Sequence, residues 1–238
     1  MPHPTLGGVA PIMKNLLRAL NGEDRLIISS MIMTLGGAVL GAWMREPQVY
    51  GFTALAVMGM LITGWRITHS ARLSWLLVFG AVAGVLALWA DWVFVTYFGA
   101  LVYMDYFGFQ ILASPSYMPI GWWLTVVQFG YLGLRLSDHW PDWLVIGTIT
   151  ALGMSVPPWY EQLAVPARAW HYKSGGLMLS NTPLWVILAY GGCMFAIATL
   201  ALLFYRPQAW GRAVLGGVFT GTSFMFFGVF WFAWIGTR

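Results

Sequence analysis

The sequence predicts an all-α integral-membrane protein, a polytopic bundle of about seven transmembrane helices, and three observations predict it. Charge is scarce: 8% of the 238 residues are charged and 59% are hydrophobic, where soluble domains carry roughly 25% charged residues. Apolar runs of about 20 residues, long enough for a hydrocarbon core about 30 Å thick, recur along the chain. Those runs are continuously apolar and broken by charged turns such as "RPQAWGR" and "LSDHWPDW", whereas the strands of a membrane barrel alternate in polarity over about 10 residues.

The runs fall at 25–44, 48–65, 73–90, 118–136, 143–157, 183–205 and 213–236. The fifth is the shortest, ending at a Pro-Pro pair. Little lies outside them, so residues 25–238 read as one bundle domain. Residues 1–24, with Lys14 and Arg18 among Leu and Ile, read as a segment lying on the membrane surface or as a tail. They lack the apolar core and small-residue cleavage site of a secretory signal.

Lysine and arginine set the expected orientation. Lys14, Arg18, Arg25, Arg66, Arg72, Arg135, Arg206 and Arg212 fall on the N-terminal side, and Arg45, Arg168, Lys173 and Arg238 on the other. A multi-pass protein with its N-terminus inside and its C-terminus outside is expected, in the cell inner membrane if the source is bacterial. Topology accounts for the net charge of +4, so no nucleic-acid partner is inferred. The one cysteine, Cys193, excludes a disulfide within the chain. His139 and His171 fall on opposite sides, and neither zinc-type spacing nor a phosphate-binding loop is present, so no metal or cofactor is expected. Gly37 with Gly41, Gly80 with Gly84, and Gly217 with Gly221 have the spacing that lets helix backbones approach closely.

The long connections after the third and fifth spans are rich in aromatics and carry the candidate chemistry. The first, from Trp89 to Trp123, contains Asp91 and Asp105 and no lysine or arginine. Carboxylates at membrane depth are costly and usually mark a function, and desolvation favours the proton-bearing form of a carboxylic acid. A neutral acid can protonate a substrate. The competing reading places Asp91 at the headgroup level, ending its helix, and Asp105 in water. The second connection repeats the order: Glu161, then Trp170 and Tyr172, then Gly175 and Gly176, then Pro183. In the first, Asp91 precedes Tyr103 and Tyr106, then Gly108, then Pro119. Acid and tyrosine lie 12 residues apart in one (91 to 103) and 11 in the other (161 to 172), the pattern of a degenerate duplication. The implied site is a ring-lined cavity with acids at its mouth, and aromatic faces attract cations. Interfacial aromatic belts have the same composition.

The stretches "DWVFVTYFGALVYMDYFGFQILASPSYMPIGWW" and "WYEQLAVPARAWHYKSGGLMLSNTPLW" resemble the membrane carotenoid-biosynthesis proteins of the carotenoid 1,2-hydratase type and, more loosely, the small membrane lycopene cyclases. The resemblance covers about residues 85–190. It implies a helix bundle that takes an isoprenoid from the bilayer and protonates an alkene. The paired acids of the cyclase pattern after the helix-opening proline are absent here, where "PIGWWL" and "PLWVIL" stand instead. On this reading Asp91 or Glu161 is the general acid, Asp105 assists, and Trp89, Tyr103, Trp170 and Tyr172 line the site, with a membrane lipid or isoprenoid as substrate. The alternative is a non-catalytic pigment- or lipid-binding subunit, with partners in a larger membrane complex.

Overall fold

A computed structural model describes residues 20–106, 108–173 and 176–237. The tail or interfacial segment expected over 1–24 lies outside them up to residue 19, as does Gly175. Among the described residues seven α-helices follow one another: α1 (Gly22–Met44), α2 (Gln48–Thr68), α3 (Ala71–Trp92), α4 (Met118–Leu136), α5 (Asp142–Ala164), α6 (Leu184–Phe204) and α7 (Trp210–Trp231). α3 and α7 run on as π-helical turns, Val93–Tyr97 and Phe232–Gly236. Five helices are long and apolar enough to cross a membrane: α1, α2, α3, α6 and α7. α4 and α5 are of spanning length but spend positions on Trp122, Trp123, Gln128, Tyr131, Pro157 and Pro158, which lower their mean hydropathy. The chain is therefore a helical, multi-pass membrane protein.

One boundary differs from the sequence expectation. α5 continues through Pro157 and Pro158 to Ala164, which puts Glu161 on the helix itself. A proline removes one backbone donor and crowds the preceding turn, and neighbouring helices tolerate that disturbance inside a bundle.

Glycines set how closely the helices approach. A Cβ at Gly84 would meet the Pro119 carbonyl oxygen at 2.5 Å, and one at Gly217 would meet that of Phe79 at 2.6 Å. The Gly80–Gly84 pair thus seats α4 on α3, and Gly217–Gly221 seats α7 on α3. At the opposite end from the aromatic connections, ion pairs tie helix ends together. Arg135 reaches the buried Asp24 at 3.0 Å and Asp138 at 3.2 Å, and Arg72 grips Asp138 at 3.1 Å. Tyr131 donates to Asp24 at 2.9 Å. Burial works against the charge of Asp138, but Arg72 and then Arg135 outweigh it and hold its carboxyl below the usual range.

Between α3 and α4 lie three short strands, β1 (Leu101–Tyr103), β2 (Gln110–Ile111) and β3 (Ser114–Pro115). Between α5 and α6 lie three more, β4 (Trp170–Tyr172), β5 (Met178–Leu179) and β6 (Thr182–Pro183). β2 pairs with β3 and β5 with β6, while β1 pairs antiparallel with β4, Val102 facing His171. The order helix, strand, hairpin, helix thus occurs twice. The two copies join through their first strands. Leu112 and Ser180 take positive φ in the hairpin turns (55° each), as do Gly108 (85°) and Gly176 (73°) just ahead of them.

Candidate functional site

The paired strands bring both acids to one place. Asp91, on the last turn of α3, is 6% exposed, and Glu161, on the last turn of α5, is 2% exposed. Among the described residues neither has an ion-pair partner.

Their hydrogen bonds differ. Both donors to Asp91 use one oxygen: the Tyr103 hydroxyl reaches Oδ2 at 2.9 Å and the Ser114 hydroxyl reaches the same atom at 3.0 Å. Glu161 has both oxygens bound, Oε2 by the Trp170 indole at 2.6 Å and Oε1 by the Tyr190 hydroxyl at 2.5 Å. No hydrogen bond of good geometry reaches Asp91 Oδ1 among the described residues, although the Trp122 indole lies within interaction range of the carboxyl. Asp91 lines a small cavity of about 60 Å³ with Phe94, Trp122, Tyr172, Trp185 and Tyr190. Burial and then the Asp91 charge raise the Tyr103 hydroxyl well above its ordinary value, so it remains a donor. Burial and then the Glu161 and Asp91 charges raise the Tyr172 hydroxyl well above its ordinary value.

A larger cavity of about 310 Å³ lies beside the first, between α1, α2, α4 and α5. Trp122 and Tyr190 line both cavities and form the partition, their rings 6.0 Å apart. Tyr50, Tyr160 and Trp170 wall the larger cavity: Tyr50 packs edge-on to Tyr160 at 5.2 Å and to Trp170 at 5.3 Å, and Trp170 lies tilted against Tyr160 at 5.9 Å. Behind the smaller one, Phe94 stacks on Trp185 at 4.8 Å, and Phe232 packs edge-on to Trp185 at 5.1 Å.

Of the residues read from the sequence, Asp91, Glu161, Tyr103, Trp170 and Tyr172 come together. Two do not. Asp105 sits in water paired to Arg168 at 2.6 Å, because the β1–β4 ladder carries it past the buried end of the strand. Trp89, two residues before the acid, is 50% exposed and packs edge-on to Trp92 on the outer face of α3. The duplication also has a different register from the one expected. Pro183 corresponds to Pro115, the second residue of its own hairpin, and not to Pro119. In that register Trp122 stands eight residues after Ser114, as Tyr190 stands eight after Thr182. Ser114, Trp122 and Tyr190 escaped the sequence reading, and the recurring Ser-Pro and Thr-Pro dipeptides were the signal that leads to them.

Residues 88–235 match the family model described as "Domain of unknown function (DUF6989)". The chain belongs to that family. No curated protein and no solved structure matches it. The family match covers both aromatic connections, both acids and all of α4 to α7, while α1 and α2 lie outside it.

Proposed function

We propose that this protein is an integral-membrane enzyme that acts on a long isoprenoid by protonating a terminal alkene, with Asp91 as the general acid. The observation that carries the reading is the asymmetry of Asp91: two hydroxyls hold Oδ2, no hydrogen bond of good geometry reaches Oδ1, and the carboxyl lines an aromatic cavity. Donors fixed on one oxygen place the acid's proton on the other, where a substrate carbon can meet it.

The chain enters through the larger cavity, which opens sideways where Ile32, Leu35 and Val156 are both cavity-lining and exposed on the apolar surface. Its end passes the Trp122–Tyr190 partition and reaches Asp91. Proton transfer breaks the Oδ1–H bond, and the π pair of the alkene forms the new C–H bond, leaving a tertiary cation. The rings of Trp122, Trp185 and Phe94 face that positive charge, an attraction worth about 2 kcal/mol or more when desolvated. Water then forms the C–O bond and returns a proton to the Asp91 carboxylate, so the net change is the addition of one water. Glu161, with both oxygens bound, fixes the partition through Tyr190 and the cavity wall through Trp170.

The placement in the membrane belongs to the same proposal. All seven helices cross, the N-terminus lies inside, and the aromatic connections face outward. The hydropathy of α1, α2, α3, α6 and α7 supports the crossings, and the excess of Lys and Arg on the N-terminal side supports the orientation.

The test is incubation of the purified protein, in lipid vesicles, with a polyisoprenoid that ends in an isopropylidene group, in ¹⁸O-labelled water. A product heavier by one labelled water is expected. An unchanged substrate over a panel of such chains, from a protein that is folded and substrate-bound, would sink the hydration reading.

A further inference from the structure

The larger cavity contains polar groups that the proposed chemistry leaves unused: the Tyr50 and Tyr117 hydroxyls, without hydrogen-bond partners among the described residues, and one amide. Gln128, near the middle of α4, is 5% exposed and lines this cavity. Its Nε2 donates to the Ser30 hydroxyl at 3.1 Å and to the Thr34 hydroxyl at 3.2 Å, both on α1. Those hydroxyls have committed their own protons to backbone carbonyls, Ser30 to Ile27 at 2.7 Å and Thr34 to Ser30 at 2.9 Å. They therefore offer only lone pairs to Gln128, which fixes the amide: its NH₂ must face α1. Its carbonyl oxygen Oε1 accepts nothing among the described residues and is not sealed from the cavity.

An amide carbonyl left without a donor in an apolar cavity costs free energy, and no described side chain donates to it. The lining near it is Met31, Leu124 and Phe129, with the Thr125 hydroxyl turned to the Gly121 carbonyl at 3.0 Å. The other end of the cavity, at Trp122 and Tyr190, lies six residues along α4 from Gln128, which is about 9 Å at 1.5 Å per residue. One occupant spans both ends only if it is a chain.

We propose that this cavity binds an apolar chain bearing a hydroxyl group, and that the hydroxyl donates to Gln128 Oε1. The ligand class is a lipid-soluble alcohol, bound with its hydroxyl at mid-depth and its hydrocarbon along the rings toward the partition. The inference rests on the enzyme reading only in calling that chain an isoprenoid. The Gln128 contact is a binding determinant, separate from the acid chemistry.

Two probes that differ in a single donor test it: geranylgeraniol and its methyl ether, titrated against the full-length protein in lipid nanodiscs by intrinsic tryptophan fluorescence. One hydrogen bond is worth about two- to tenfold in affinity, so the alcohol should bind about fivefold tighter than the ether. In Gln128→Met, which keeps the length and loses the acceptor, the ratio should fall to about one, with the ether's affinity little changed. Ser30→Ala with Thr34→Val frees the amide to turn, and the ratio should fall part of the way. Equal affinities in the unaltered protein overturn the proposal, as does a preference that survives Gln128→Met. The wild-type comparison decides the matter even if a variant fails to fold. Because the readout is binding, loss of the enzyme reading leaves this result standing. Conversely, turnover with no alcohol preference removes this inference alone.

Discussion

The two halves of the site hold their carboxylates in opposite ways. In the first, the acid itself ties down the hairpin: Ser114 of β3 donates to Asp91, and so does Tyr103 of β1, both to the same oxygen. In the second, the hairpin is tied by the neighbouring residue. Gln162 donates to Thr182 at 2.7 Å and to the Leu179 carbonyl at 3.2 Å, and accepts from the Asn181 amide at 3.1 Å. Glu161 is released to bind Trp170 and Tyr190 with one oxygen each. Tyr190 has its counterpart in Trp122, whose buried indole N–H lies near Asp91 without forming a hydrogen bond of good geometry. A duplicated frame thus carries one carboxyl held by hydroxyls at a single oxygen and one held at both. The first is suited to chemistry and the second to holding walls in place.

That contrast can be broken most directly at the acids. Asp91→Asn keeps an oxygen for Tyr103 and Ser114 and puts an amide in place of Oδ1, so the fold should survive. Turnover should fall by about 10²- to 10⁴-fold, the usual contribution of general acid catalysis, with thermal unfolding little changed. Glu161→Leu should invert the pattern. It leaves the Trp170 and Tyr190 donors buried without an acceptor, and at about 1–3 kcal/mol for each such group the loss should appear as a clear drop in denaturant midpoint.

A second pair of variants sharpens the comparison through packing. Gly84→Ala drives a Cβ into the α4 backbone, at the Pro119 carbonyl and at the Trp123 amide 2.8 Å away. Gly191→Ala, on α6, meets mainly the exposed Met154 side chain, at Cγ 2.7 Å and Sδ 3.2 Å. Overpacking typically costs about 1–3 kcal/mol. Gly84→Ala should sit at the upper end and Gly191→Ala below it, measured as unfolding midpoints in detergent. The smallest effect is expected at Asp105→Asn. Its pairing with Arg168 is exposed, and such pairs contribute about 0–1 kcal/mol, so both turnover and midpoint should stay close to those of the unaltered protein.

The helices were legible because apolar length is written in composition: the expected spans over 118–136 and 183–205 sit on α4 and α6 to within a residue. The acids were legible because charge is so rare in this chain. Their tyrosines came from spacing, since the 12- and 11-residue intervals reflect the common path from helix end to first strand. What failed was the register of the hairpins. Pro119 opens α4 in the familiar first-turn position of a proline, and that local rule hid the Ser114–Pro115 strand that matches Thr182–Pro183. Asp105 and Trp89 were misplaced for a related reason. Which face of a strand or helix turns inward depends on the β1–β4 pairing, and that long-range contact leaves no mark in either segment alone. Gln128 was visible as a lone amide in an apolar helix, but its meaning needed Ser30 and Thr34 of α1, about a hundred residues earlier.

The central claim is that Asp91 delivers a proton to carbon. Its most direct test is solvent-deuterium uptake: the protein in vesicles made up in deuterated water, with a polyisoprenoid substrate, followed by mass spectrometry and NMR of the chain. The account predicts deuterium fixed at the former alkene carbon with the unaltered protein, and essentially none with Asp91→Asn. Undiminished uptake in the folded Asp91→Asn variant would contradict it.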